Sequence, residues 1–398
     1  MFKKTLNQID QKHHFKLYKR FPITLVRGNG ARVWDTEGKE YIDTFAGIAV
    51  NSLGHCHPKI VEAIQDQASR LMHISNFFTS EPQVELSQKL TKLAGLDRVF
   101  FTNSGVEAIE GAFKLTRKNG NVKGKKGDII SMEDCFHGRS IGAIASGKAK
   151  YQEGFEPMPP GFSNIPFNDI EALNKKVDDS TVAVIIEPIQ GESGIRVADK
   201  AFLKAARTLC DKHDALLIFD EIQCGIGRTG KMFAFEHYGI KPDILTLAKA
   251  LGSGFPIGAV LATEKATSVL EYGSHGTTFG GNPLATRTAL TTLQIMEEEK
   301  LVQRASSLGE WLLKELNKIA QGEDAIKDIR GKGLMIGMEL NFPGVGVMES
   351  MLKKGILINV ASGNVIRLVP PFIISKVELT AVVLALKESI QEEKHKQK

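Results

Sequence analysis

The stretch LTLAKALGSGFPIGAVLA, residues 245–262, sets one lysine, Lys249, between two apolar runs. Each run has the length and the Leu, Ile and Val content of a strand covered on both faces. Similar runs recur along the chain, at 98–102, 128–133, 182–187 and 215–220, and with 243–248 and 257–262 they make six candidate strands. Helical patterns separate several of them, for instance 104–118 and 199–213. Alternation of this kind predicts an α/β protein with a mostly parallel sheet. A lysine at the end of such a strand has two readings. Its stem could lie along apolar surface with the head in water. Or it is desolvated, loses its proton and becomes a nucleophile.

The rest of the chain bounds the choice. It has 398 residues, 42% hydrophobic and 24% charged, which is ample for two domains and a large core. A net charge of +5, from 51 basic and 46 acidic side chains, suits small anionic ligands and is too slight and too scattered for nucleic acid. No apolar run approaches a membrane span of about 18 residues, and the basic start MFKKTLNQIDQKHHFKLYKRFP has no signal-peptide core. Cys56, Cys135, Cys210 and Cys224 stand far apart, which points to free thiols in a reducing cytoplasm. His55-Cys56-His57 has no second cluster to complete a metal site, so no metal is expected.

From about Leu284 the pattern turns to long amphipathic helices over 284–320, broken near 298–300, then to a glycine-rich strand IRGKGLMIGMEL and the runs GILINV and VIRLVPP. The division expected is an N-terminal segment, 1–50, belonging to a smaller α+β domain, a large domain over 51–283, and the remainder of the small domain over 284–398. GKGLMIG reads as part of a strand, since no strand–turn–helix unit with a ribose-binding acid surrounds it. KESIQEEKHKQK reads as a solvated helix end.

Ligands of open α/β sheets bind beyond the carboxyl ends of the strands. After 98–102 comes Ser104-Gly105-Val106, with Ser104 and Glu107 at capping-box spacing and Lys118 and Gly120 placed to close the helix; this is either a plain capped helix or a phosphate seat. After 128–133 come Phe136, suited to stack on a flat ring, and Arg139, suited to grip a carboxylate. Glu192 follows 182–187 in a glycine-flanked loop. Asp220 ends its apolar strand, where a carboxylate needs a strong donor, and Glu221, Ile222 and Gln223 come next. Lys249 follows 243–248. Five strand ends supplying a nucleophilic amine, an acid for a pyridinium nitrogen, a stacking ring and a phosphate seat point to pyridoxal 5'-phosphate.

The motifs GIAVNSLGHCHPKIVEAI, LMHISNFFTSEPQVELSQKL, TNSGVEA, FHGR, EPIQGE, FDEIQCGIGRTG, LAKALGSGFPIGA, HGTTFGGNPLA and RGKGLMIGMEL run in order through nearly the whole chain. In these the sequence resembles the class III aminotransferases of the type I pyridoxal-phosphate fold, most of all the acetylornithine aminotransferases. The resemblance implies that Lys249 forms the Schiff base and moves the proton, and that Asp220 keeps the ring nitrogen protonated. For that amine to be half neutral near pH 7, its pKa must fall from about 10.4 by roughly three units, about 4–5 kcal/mol. Gln223 is then expected at the ring hydroxyl, with Phe136 and Ile222 on the two ring faces. Ser104, Gly105 and Val106 would meet the phosphate, which Thr278 would reach from the other subunit of a homodimer. Glu221 is carried over with its motif as a cofactor residue.

For the substrate the resemblance implies Arg139, Thr277 and the pair Arg367 and Glu192, in which Glu192 masks Arg367 whenever an ω-amine is bound. For Arg367 an ion pair between domains is the competing reading. The reaction implied moves the δ-amino group of N-acetylornithine to 2-oxoglutarate, giving glutamate and a semialdehyde, a step of arginine biosynthesis in the cytoplasm. The same machinery serves succinylornithine, succinyl-diaminopimelate, ornithine and 4-aminobutyrate. The fold also serves aminomutases and decarboxylases, which need no 2-oxoglutarate. A binding protein that had lost catalysis would have no use for Lys249, Asp220 and Gln223. Val106 and Ile109 depart from the family's usual residues, and IGAIASGKAKY follows FHGR less closely than the family pattern.

Overall fold

The computed structural model describes residues 6–396. Three short strands come first: β1 (Leu25–Asn29), β2 (Arg32–Asp35) and β3 (Glu40–Asp43). The central strands are β4 (Arg98–Thr102), β5 (Ile129–Met132), β6 (Phe162–Ile165) and β7 (Ala183–Ile186). After a small hairpin of β8 (Ile189–Gln190) and β9 (Arg196–Val197) come β10 (Leu216–Asp220), β11 (Ile244–Leu247) and β12 (Gly258–Ala262). The C-terminal third adds β13 (Ile326–Lys332), β14 (Met335–Leu340), β15 (Ile356–Leu357), β16 (Asn359–Ala361) and β17 (Val365–Leu368).

Seven strands form the central sheet in the order β4-β12-β11-β10-β7-β5-β6. Their runs are apolar because both faces are covered: β5, β7, β10, β11 and β12 are buried at every residue. The pairs around β5, β7, β10 and β11 are parallel, but β12 is antiparallel to both β11 and β4. Chain length explains the exception. Only residues 248–257 join β11 to β12, too few for the crossover that a parallel neighbour needs.

The helix Gly105–Val122 runs past Lys118 and Gly120, where its end was expected. Gly120 serves packing instead, since a Cβ there would sit 2.7 Å from Val182 Cγ1. The helices Pro283–Glu298 and Leu301–Ala320 break at Lys300, in the left-handed region at φ 51°. IRGKGLMIGMEL is not one strand but the hairpin β13–β14, with Lys332 opposite Met335. Gly333 makes the turn at φ +53° against the backbone of Thr229, 2.4 Å from where a Cβ would lie, so only glycine fits.

The N-terminal strands meet the C-terminal part: β15 pairs in parallel with β3, and Val369 N donates to Thr44 O at 2.9 Å. A large sheet and a smaller part built from both ends are the type I architecture. The last helix, Lys376–Lys396, packs further along its length than its charge suggested, with Ser389 and Ile390 buried; Gln397 and Lys398 lie outside the described residues. His55 pairs with Asp43 and His57 with Glu299, so the histidines flanking Cys56 turn to different partners. Arg228, fully buried, ties the pieces together by donating to Ser52 Oγ, Leu334 O and Pro370 O.

Candidate active site

Beyond the carboxyl ends of β4, β5, β7, β10 and β11 lies a cavity of about 470 Å³. Asn103 through Val106, Phe136 through Arg139, Glu187, Asp220, Ile222, Gln223 and Lys249 all reach it. Five separate strand ends therefore converge on one space, as the strand-end rule for open sheets requires.

β4 hands over to the helix Gly105–Val122. Ser104 Oγ accepts from Glu107 N at 3.3 Å, and Glu107 Oε2 accepts from Asn103 N at 2.8 Å. The amides of Gly105 and Val106, in the first turn, have no acceptor within the helix and face a positive helix end, a seat for an anion. Gly105 lets Ile222 approach, since a Cβ would lie 3.0 Å from its side chain. Gly138, at φ +127°, does the same for Val106.

Phe136 and Ile222 both line the cavity. Ile222 arrives by a turn after β10, its N–H donating to Asp220 Oδ1 at 3.1 Å. Arg139 is held over the ring of Tyr151, 3.8 Å from the centroid, and 5.8 Å from that of Phe136. No sequence signal points to Tyr151, because nothing in the residues between marks it as a neighbour of Arg139.

Asp220, at 4% exposure, has a full set of donors. Thr246 Oγ1 donates to Oδ1 at 3.0 Å, and His137 Nδ1 lies 2.7 Å from Oδ2. Burial works against a charge on His137, but Cys135 and Asp220 outweigh it and raise its pKa well above the ordinary value. His137 is thus the buried partner of Asp220 Oδ2. Glu187, behind them, accepts from Phe136 N at 3.0 Å, and burial pushes its carboxyl up to about 8. His137 and Glu187 were not among the expected site residues. The one signal for Glu187 is the acid that ends the apolar run VAVIIE.

Lys249 has φ +45°, a strained conformation for a residue with a side chain. Burial lowers its pKa, with Glu192 opposing and Arg367 assisting. Lys249 is half-buried and lines the cavity, an arrangement that favours desolvation over a snorkelling side chain. Gln223 Nε2 donates to Glu192 Oε1 at 3.2 Å, and Gln223 Oε1 accepts from Arg367 Nη1 at 3.2 Å. Arg367 Nη1 also donates to Glu192 Oε1 at 2.5 Å. Burial would raise the Glu192 carboxyl, yet Arg367 brings it below the usual value.

Five expected residues do not line this cavity: Glu192 and Arg367, which adjoin it through their bonds to Gln223, and Glu221, Thr277 and Thr278, the last expected from the other subunit. Glu221 is buried on the other side of the turn, accepting from Ala234 N and Phe235 N at 2.6 and 2.7 Å, and burial pushes its carboxyl up to about 8. Its neighbours in the motif alternate around a tight turn, which sends it away. Thr277 and Thr278 line a separate depression with Asn76, Phe77 and Gly280. Thr277 Oγ1 accepts there from Gly280 N at 3.1 Å and from Asn103 Nδ2 at 3.4 Å.

A flat cofactor carrying an aldehyde, a phosphate and a basic ring nitrogen meets a matching group at each point: an amine with lowered pKa, free helix amides, a buried carboxylate, and an apolar slot opened by two glycines. Fold and site define a pyridoxal-phosphate enzyme of the type I fold. The chain belongs to the class-III aminotransferases, whose family model matches residues 16–390. It is 52% identical to the acetylornithine aminotransferase of Methanocaldococcus jannaschii, over 96% of this chain and 97% of that protein. The acetylornithine aminotransferase of Caldanaerobacter subterraneus is 46% identical, over 96% and 98%. Among solved structures, the ornithine aminotransferase of Toxoplasma gondii superposes with a TM-score of 0.94 at 35% identity, covering 98% of this chain and 95% of that one. The acetylornithine aminotransferase of Elizabethkingia anophelis does so with 0.86 at 39% identity, covering 97% and 98%.

Proposed function

We propose that this aminotransferase moves the δ-amino group of N2-acetyl-L-ornithine to 2-oxoglutarate, forming N-acetyl-L-glutamate 5-semialdehyde and L-glutamate. The Glu192–Arg367 ion pair lies within electrostatic reach of Lys249, and this observation carries the reading, since a carboxylate that displaced Glu192 would meet Arg367. Pyridoxal phosphate, when bound, supplies a carbonyl that takes up the amino group and a ring that spreads the electron pair left on carbon. Lys249 carries the proton to and from that carbon. Asp220, backed by His137, holds the proton on the ring nitrogen. Arg139 grips a substrate carboxylate at the far wall. With an ω-amine in place Glu192 covers Arg367; with glutamate or 2-oxoglutarate it withdraws and the α-carboxylate takes its position.

Ornithine is the second reading, favoured by the 0.94 TM-score of the Toxoplasma gondii protein. Sequence identity of 52% to an acetylornithine enzyme favours the acylated substrate. The test is a titration of the cofactor-loaded protein, followed by the bound cofactor's visible absorbance. N-acetylornithine is expected to bleach it at a concentration at least about tenfold lower than ornithine does, the scale of one well-made substrate contact. Equal response to both would overturn the acyl preference.

The reading includes a homodimer in which Thr278 of each copy serves the other's cofactor phosphate. Thr278 is exposed, and around it Phe77, Tyr272 and Phe279 expose large apolar surfaces at 95%, 110% and 60%. Sedimentation of the active enzyme is expected to give a dimer. A monomer with full activity would remove Thr278 from the site.

A further inference from the structure

Arg367 is 1% exposed, and its guanidinium has only donors to offer. Those donors divide between two edges. Nη1 serves the changeable side: Glu192 Oε1, Gln223 Oε1 and, at 3.3 Å, Gly191 O. Nε and Nη2 both donate to a single oxygen, Oδ1 of Asn359, at 3.0 and 2.7 Å.

The two edges are held by parts of different kinds. Glu192 sits in the turn between β8 and β9, and its side chain is 24% exposed. Its backbone is pinned, since Ser362 Oγ donates to Glu192 O at 3.3 Å and Arg330 Nε to Gly194 O at 2.9 Å. Departure of the carboxylate is therefore a side-chain rotation. Asn359 lies on β16 directly opposite Arg367 on β17, so register puts the two side chains on one face and next to each other. Because arginine has no acceptor, the amide oxygen must face it and Nδ2 must turn away.

We propose that Asn359 is the positioning residue that keeps Arg367 aimed at the incoming carboxylate once Glu192 has rotated out. The inference rests on the reading that Arg367 takes the acceptor's carboxylate. A neutral oxygen suits this role, because it fixes two of the guanidinium nitrogens without cancelling the charge that attracts the substrate. An aspartate at the same place would be a second anion on the same cation and would compete permanently with the substrate.

The test uses the cofactor-loaded enzyme and glutarate, a dicarboxylate that cannot react, with its Kd measured by calorimetry. Asn359→Ala is expected to weaken glutarate about tenfold and to raise the KM for 2-oxoglutarate by about the same factor, with kcat changed less than about threefold. That is the scale of hydrogen bonds to a charged group. Asn359→Asp, nearly the same size and so a guard against misfolding, is expected to weaken glutarate by about a hundredfold, the scale of a buried charge pair. In both variants the half-reaction with N-acetylornithine is expected to stay within about fivefold, because Glu192 covers Arg367 while it proceeds. Unaltered glutarate binding in both variants, no glutarate binding to the unmodified enzyme, or an equal fall in both half-reactions would overturn the inference. Failure of the unmodified enzyme to react with N-acetylornithine would sink the proposed substrate instead, and glutarate binding would still decide the role of Asn359.

Discussion

Lys249→Ala is expected to abolish transamination, by about ten-thousand-fold or more, while the protein stays folded. Under the proposed mechanism the side chain would do two jobs that no neighbour could take over: it would hold the cofactor's aldehyde carbon, and it would carry a proton to and from the substrate carbon. Proton transfer by a placed group contributes on the order of a hundredfold to ten-thousand-fold, and loss of the covalent step adds to it. Asp220 and Glu187 line the same space, but Asp220 is bonded to His137 and Glu187 to the Phe136 amide. Folding should survive, because burial lowers the pKa of Lys249, so its amine is a cost to the fold. The measurements are turnover of N-acetylornithine with 2-oxoglutarate and the thermal unfolding midpoint. A variant that keeps turnover within tenfold of the parent would place the nucleophile elsewhere.

Asp220→Asn is expected to lower kcat by about a thousandfold, the scale of removing a preorganised electrostatic partner from a dry site. An amide cannot hold a proton on a ring nitrogen as a carboxylate does. The substitution also strips the counter-charge from His137, whose raised pKa depends on Asp220 and Cys135 against the pull of burial. His137 should then become neutral and turn from donor to either donor or acceptor, so the pair can rejoin without charge. KM for N-acetylornithine should move less than about tenfold, since the proposed grip on the substrate's carboxylate is at Arg139 and not at Asp220. A fall in kcat with KM nearly unchanged marks an interaction made chiefly in the transition state. A kcat within tenfold of the parent would show that the ring nitrogen needs no acid here.

Four strand ends could be read from the chain because the signals are local, while after β7 the lining acid is Glu187 and not the expected Glu192. A run of apolar residues ends at a polar one, and in an open parallel sheet every such end points to the same side. Lys249, Asp220, Phe136, Arg139 and the Ser104–Val106 turn are all legible that way. Glu221 shows where the local signal fails: it shares a motif with Asp220 and Ile222, yet a tight turn sends its carboxylate to the amides of Ala234 and Phe235. Direction fails likewise, since β12 is as apolar as its neighbours and runs against them.

The α/β class, the strand ends and the chemical types gathered there follow from the chain read in order, because periodicity and composition are properties of neighbours along it. How those groups pair is settled by packing in three dimensions. His137 meets Asp220 across 83 residues, Glu192 meets Arg367 across 175, and only the register of β16 with β17 sets Asn359 beside Arg367. The charge state of a buried group depends on what packs against it in space, and for these residues what packs against them comes from distant parts of the chain.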